Sequence, residues 1–144
     1  QIKTKRVHFN SFYFMKRHLA IFIGSAIDDI ISGKKSIESR FSLGRVLPYG
    51  QISKDDEILL KKSGGDVIGR VIADNVLYYD NLTPESIAIL RKEYSKELCV
   101  DDDFWQRKSS SRFGTLIFLK APERFLVPIK INKKDRRPWV VLEK

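Results

Sequence analysis

The chain has 144 residues, 42% of them hydrophobic, which suffices for one core and not for two independent ones. Its 27 Lys and Arg against 18 Asp and Glu give a formal charge of +9, which favours a polyanionic partner through counterion release and steering; plain solubility is the competing reading. Cys99 is the only cysteine, and His8 and His18 are the only histidines. An intramolecular disulfide and a thiolate metal site are therefore excluded. Neither histidine has another at ligand spacing or an acidic companion beside it, so no metal and no cofactor is expected.

No apolar run reaches the roughly 20 residues of a membrane span, and no signal-peptide pattern is present. A cytoplasmic location without membrane association is expected. Met15 is the only methionine, and residues 1–14 are basic and aromatic, unlike the rest of the chain. The shift predicts an N-terminal arm or extension over 1–14 and one domain over 15–144. The arm holds Lys3, Lys5 and Arg6, so most of the positive excess belongs to the domain.

Leu19, Ile21 and Ile23, alternating around Ala20 and Phe22, predict a buried first strand over 18–23. A short helix comes next, with Ser25 as N-cap, Ile27, Ile30 and Ile31 as its apolar stripe and Gly33 as its left-handed stop. Residues 36–53 read as a short strand and a loop containing Gly44, Pro48 and Gly50. Strands over 58–62 and 67–76 flank Ser63-Gly64-Gly65-Asp66, a hairpin signal because glycine supplies positive φ. Thr83-Pro84-Glu85 opens a second helix with Ile87, Leu90, Tyr94 and Leu98 at helical spacing. Asp101, Asp102 and Asp103 cap one more turn bearing Phe104 and Trp105; magnesium binding is the weaker reading, because consecutive side chains diverge. Three strands close the chain, over 113–119, 126–131 and 139–142, the first two parted by Pro122-Glu123. This order specifies an α+β domain with a curved sheet or small β-barrel and two to three flanking helices.

The segment Gly33-Lys34-Lys35-Ser36-Ile37-Glu38-Ser39-Arg40 resembles the G-x-K-x-x-E-x-R signature of ASCH domains, relatives of the PUA fold. Tyr49-Gly50 with Asp55-Asp56, the strand Ile58-Leu59-Leu60-Lys61, the strand containing Gly69, Trp105, Phe113-Gly114 and the closing Lys134-Asp135-Arg136-Arg137-Pro138-Trp139-Val140 stand in the family's order. The resemblance covers about residues 15–144. It implies a PUA-like fold and an RNA- or modified-nucleotide-binding module whose signature lines a cleft. Some relatives are ribonucleases, and one branch hydrolyses acylated cytidine with a lysine at the position of Lys35, a threonine nucleophile at that of Glu38 and a catalytic acid in the region of Glu97. Glu38 offers no hydroxyl, so that mechanism does not transfer directly.

On a strand, Ser36, Glu38 and Arg40 share one face and Ile37 the other. A carboxylate beside a guanidinium suits a base amino group and a phosphate or base edge; a structural ion pair is the alternative. Lys35 is expected at the mouth of this site. The basic groups Lys34-Lys35, Lys61-Lys62 and Lys130, Lys133, Lys134, Arg136 and Arg137 are expected to converge into one stripe. Trp105 is the expected stacking wall and Trp139 a core residue. The expected RNA or nucleotide contacts are thus Lys34, Lys35, Ser36, Glu38, Arg40, Lys61, Trp105 and Arg136. A hydrolase using Lys35 and Glu38, either a ribonuclease or an amidohydrolase on an acylated nucleoside, stands as the alternative. An interaction module would instead show an exposed apolar patch.

Overall fold

Six stretches rich in β-branched and aromatic residues are interspersed with three runs of helical apolar spacing. The computed structural model describes residues 15–132 and 134–142. Its order is β1 (Arg17–Phe22), α1 (Ala26–Ile31), β2 (Ile37–Ser42), β3 (Glu57–Lys62), β4 (Val67–Tyr79), α2 (Pro84–Leu98), α3 (Asp102–Lys108), β5 (Phe113–Ile129) and β6 (Trp139–Leu142). The expected arm over 1–14, with His8, lies outside the described residues, as does Lys133.

Local chemistry sets the helix ends. Thr83 Oγ1 accepts from Ser86 N at 3.1 Å, Pro84 stands at the first turn, and Cys99 ends α2 at φ +56. Asp101 accepts from Phe104 N at 2.9 Å and starts α3. Gly33 at φ +84 turns the chain after α1, a conformation that a side chain would resist.

The strands form one mixed sheet in the order β2-β5-β4-β3-β1-β6, antiparallel throughout except between β1 and β3. It curls into a half-barrel, so that Arg40 on the edge strand β2 reaches the carbonyl of Ile21 on β1, beside the other edge. The concave face buries Leu60, Val71, Ile117 and Trp139 around Ile27 and Ile30, and α1 thereby plugs the curl. The opposite face of β2 and β5 packs Ile37, Phe41 and Leu116 against Leu90 and Leu98 of α2 and Trp105 of α3. Each fully buried aliphatic side chain contributes about 1.5–3 kcal/mol, so these two clusters hold the layers together.

Two expectations need correction. In β1 it is Ala20 and Phe22 that enter the main core, while Ile23 is exposed; the run is apolar on both faces, and its neighbours in the sheet choose the inward parity. The strands expected over 113–119 and 126–131 form the single strand β5, because irregularities absorb the two prolines. Ala121 at φ +52 and Pro122 lie opposite Val71 alone, between the pairs Ile72↔Lys120 and Arg70↔Glu123. Residues 125–128, including Pro128, bulge opposite Ile68. A proline fits where no ladder donor is required.

His18 does have an acidic companion, distant in sequence. Trp139 Nε1 donates to His18 Nδ1 at 3.0 Å. An indole nitrogen only donates, so the ring proton sits on Nε2, which donates to Asp56 Oδ2 at 2.8 Å. Asp56 also accepts from Lys16 N and Ser53 N, each at 3.0 Å. This buried relay joins β6, β1 and the turn before β3.

At Gly69 two strands approach too closely for a side chain: a Cβ would stand 2.5 Å from the backbone oxygen of Glu123 and 3.3 Å from Ile31 Cδ1. Gly69→Ala is expected to lower stability in urea unfolding by roughly 1–3 kcal/mol. Gly44→Ala, where a Cβ meets nothing within 4 Å, should stay within about 0.5 kcal/mol of the parent. Equal midpoints for the two variants would contradict the close approach.

Candidate functional site

The strand β2 begins where two helices end. Lys35 N donates to Asp29 O of α1 at 2.9 Å, and Ser36 N donates to Glu97 O of α2 at 3.0 Å. These bonds fix the chain's direction before the ladder with β5 starts at Ile37↔Phe118. Pleating then turns Glu38 and Arg40 to the concave face and Ile37 and Phe41 to the helices, as their clusters show.

Glu38 lies between two cations. Its Oε1 is 3.3 Å from Lys35 Nζ and its Oε2 accepts from Arg40 Nε at 2.6 Å. Lys35 Nζ donates to Leu98 O at 2.5 Å, the carbonyl at the C-terminus of α2, where the helix dipole favours a positive charge. Arg40 crosses the opening of the half-barrel: Nη2 donates to Ile21 O at 3.1 Å, and the guanidinium lies 5.1 Å from the Phe22 ring centre and 5.0 Å from that of Trp139. Burial would push the Glu38 carboxyl up, yet the charges of Arg40 and Lys35 and their hydrogen bonds hold it below its ordinary value of 4.5.

The structure thus brings together Lys35, Glu38 and Arg40, with Ser36 leading into the strand. It also seals much of the group. Lys35 is 5% and Glu38 7% exposed, so Lys35 stands behind the expected mouth rather than at it, and Arg40 is the more accessible member. Lys34 is exposed beside Lys35, and Arg136 is exposed in the segment that precedes β6, whose Pro138 O accepts from Ile21 N at 2.9 Å. The expected single stripe is not formed in full: Lys61 pairs in register with Ile21 and shares parity with Leu59, on the face opposite Glu38 and Arg40. Trp105, expected as a stacking wall, is 3% exposed and packs on Phe41 and Phe104 within the helix-side core.

Lys108 was not among the expected contacts. It comes from the last turn of α3 to the free edge of β2, with Nζ 3.5 Å from Phe41 O. Burial, then Arg107 and then Arg40, push its pKa down. Among the described residues no group of three or more His, Cys, Asp or Glu side chains is arranged to hold a metal ion.

Glu57 on the convex face has a lowered carboxyl as well, burial being outweighed by hydrogen bonds from Arg70 and Arg17. Both carboxylates contribute stability that is fully present above about pH 4.5, the unfolded value, and is lost as pH falls through their lowered folded values. Glu38→Gln leaves the buried Lys35 and the partly buried Arg40 without their anion and is expected to cost about 3–5 kcal/mol near neutral pH, read by urea unfolding. Its stability should also fall less steeply than the parent's on acidification. A variant as stable as the parent at pH 7 would contradict a buried ion pair here.

No family model and no curated protein matches the chain. Solved structures do. ASCH from Zymomonas mobilis superposes with a TM-score of 0.70 at 18% identity, covering 90% of this chain and 89% of that one. A tyrosine-to-phenylalanine variant of that protein gives 0.70 at 16% identity, covering 90% and 91%. A serine-to-alanine variant gives 0.68 at 18% identity, covering 90% and 89%. With its curled six-stranded sheet and three helices, the chain has the α+β fold of these ASCH-domain structures.

Proposed function

We propose that the chain is a binding module for RNA or a modified nucleotide, with its site along the seam where the free edge of β2 faces β1 and β6. The observation that carries this reading is the excess of positive charge at that seam. Lys35 and Arg40 approach it with Glu38 as the carboxylate that answers them, Lys108 approaches it without one, and Lys34 and Arg136 are exposed on the segments flanking it. A polyanion gains where cations outnumber carboxylates. Arg40 has donors left after bonding Glu38 and Ile21 O, in the planar fork that suits phosphate or a base edge.

In this reading the residues divide by task. Lys35 and Glu38 hold Arg40 in place across the opening, and Arg40 with Lys34, Ser36 and Arg136 meets the ligand. Lys61 and Trp105 lie off this surface. The ASCH fold supports a nucleic-acid-binding role by analogy of architecture, which raises the expectation without fixing the ligand. No helix of the described residues is long and apolar enough to cross a membrane.

Affinity for a short single-stranded RNA should fall steeply with salt, by a log–log slope of about −0.7 per phosphate contact. Lys34→Ala and Arg136→Ala should each reduce that slope by about one contact's worth while leaving the melting temperature unchanged, because both side chains are exposed. A flat salt dependence between low and physiological ionic strength would refute phosphate contact. Turnover of RNA or an acylated nucleoside by the parent, lost in a folded Lys35→Arg variant, would replace the binding reading with a hydrolase.

A further inference from the structure

Lys108 sits in an environment that its helix does not explain. A basic residue in the last turn of a helix ordinarily answers that helix's own free carbonyls. The acceptor given to Lys108 is instead Phe41 O of β2, at the long distance of 3.5 Å. Its side chain is half-buried, and among the described residues no carboxylate lies within ion-pair distance of it. Arg107 beside it is answered by Asp103 at 2.9 Å, so Asp103 is already committed. The other neighbouring charge is Arg40, which is positive as well.

Among the described residues no strand pairs with the edge of β2 beneath Lys108, although Ile37, Ser39 and Phe41 along it are buried. β2 is the outermost strand of the sheet, and Ser36 O and Ser42 O accept from β5 and its preceding residue. The backbone groups of the alternate residues Ile37, Ser39 and Phe41 therefore point away from β5, toward the seam. On the other flank of Arg40 stands Thr115, its partner in the β2–β5 ladder and so on the same face. Thr115 Oγ1 is fully buried and has no hydrogen-bond partner. A buried hydroxyl without a partner is uncommon and costly.

We propose that Lys108, held beside Phe41 O, and the unused donors of Arg40 form a phosphate-binding subsite at the α3 end of the seam. The subsite rests on the binding function proposed for the seam and deepens it by naming the group recognised: the phosphate oxyanion of a nucleotide, whether a terminal monoester or a diester within a strand. An incoming phosphate supplies the anion that Lys108 lacks. A half-desolvated ammonium gains more from such a partner than an exposed one does, because less water competes for it.

The probes are adenosine and uridine, their 5′-monophosphates, the dinucleotides ApA and UpU, and inorganic phosphate, each titrated at low salt and followed by NMR. The parent should bind the phosphate-bearing probes more tightly than the nucleosides. Lys108→Ala should weaken the phosphate-bearing probes by about tenfold or more, leave the nucleosides unchanged and melt like the parent. Lys108→Arg should retain most of the affinity. Loss confined to the monophosphates assigns a free nucleotide, and loss confined to the dinucleotides assigns a strand; either supports the subsite. Equal weakening of nucleosides and nucleotides, or none, overturns it. If the parent binds no nucleoside or nucleotide, yet inorganic phosphate shifts the Lys108 Cε resonance and raises its pKa, the nucleotide reading falls and the oxyanion site stands. Absence of any response of Lys108 to phosphate removes the subsite.

Discussion

A carboxylate withdrawn from water needs cations close by, and Glu38 has two. That requirement organises the molecule, because the cations come from different places. Lys35 is held at the end of α2 through Leu98 O, and Arg40 is laid across to Ile21 O, Phe22 and Trp139. One buried anion thereby couples the helical layer, the edge strand and the far side of the half-barrel. Apolar packing alone would hold α1 inside the curl and α2 against its outside. It would not fix how far apart the two sheet edges stand, since dispersion contacts carry little direction, whereas charge-assisted hydrogen bonds carry a great deal.

Much of this architecture was legible in the sequence wherever a local rule governs. Thr83-Pro84, Asp101, Gly33 and the Ser63–Asp66 turn sit where capping and turn chemistry put them. The shared face of Glu38 and Arg40 was legible too, since it comes from the two-residue period of a strand. Burial was harder to read. Trp105 lies among charged residues in the sequence, yet the packing of α3 on β2 turns its ring into the core. Lys61 sits in a basic pair whose face is set by the pairing of β3 with β1, which no local pattern encodes. Lys108 belongs to a polar loop in sequence and reaches β2 only through the packing of α3 on Phe41. The prolines of β5 suggested interruption, and the ladder passed them by bulging.

The two polar assemblies of the concave side divide the labour. The His18–Asp56–Trp139 relay is sealed and fully matched in donors and acceptors, which suits a purely architectural role. The Arg40 assembly is matched at Glu38 and left open elsewhere, at Thr115 and on the unused side of the guanidinium. Trp139 belongs to both, donating through its indole to His18 and offering its ring to Arg40. The seam is therefore tied on its β6 side into the buried hydrogen-bond relay.

The link between Trp139 and His18 spans 121 positions of sequence, and β1 acquires its outer neighbour only through β6. A ribosome making this chain delivers the first strand long before the last. Until residue 139 has emerged, β1 keeps an unpaired edge, His18 lacks its indole donor and Arg40 has one ring to rest on instead of two. The interval is one in which another extended segment can pair with that edge. Assembly of the seam is thus a late event in synthesis, complete only when β6 arrives.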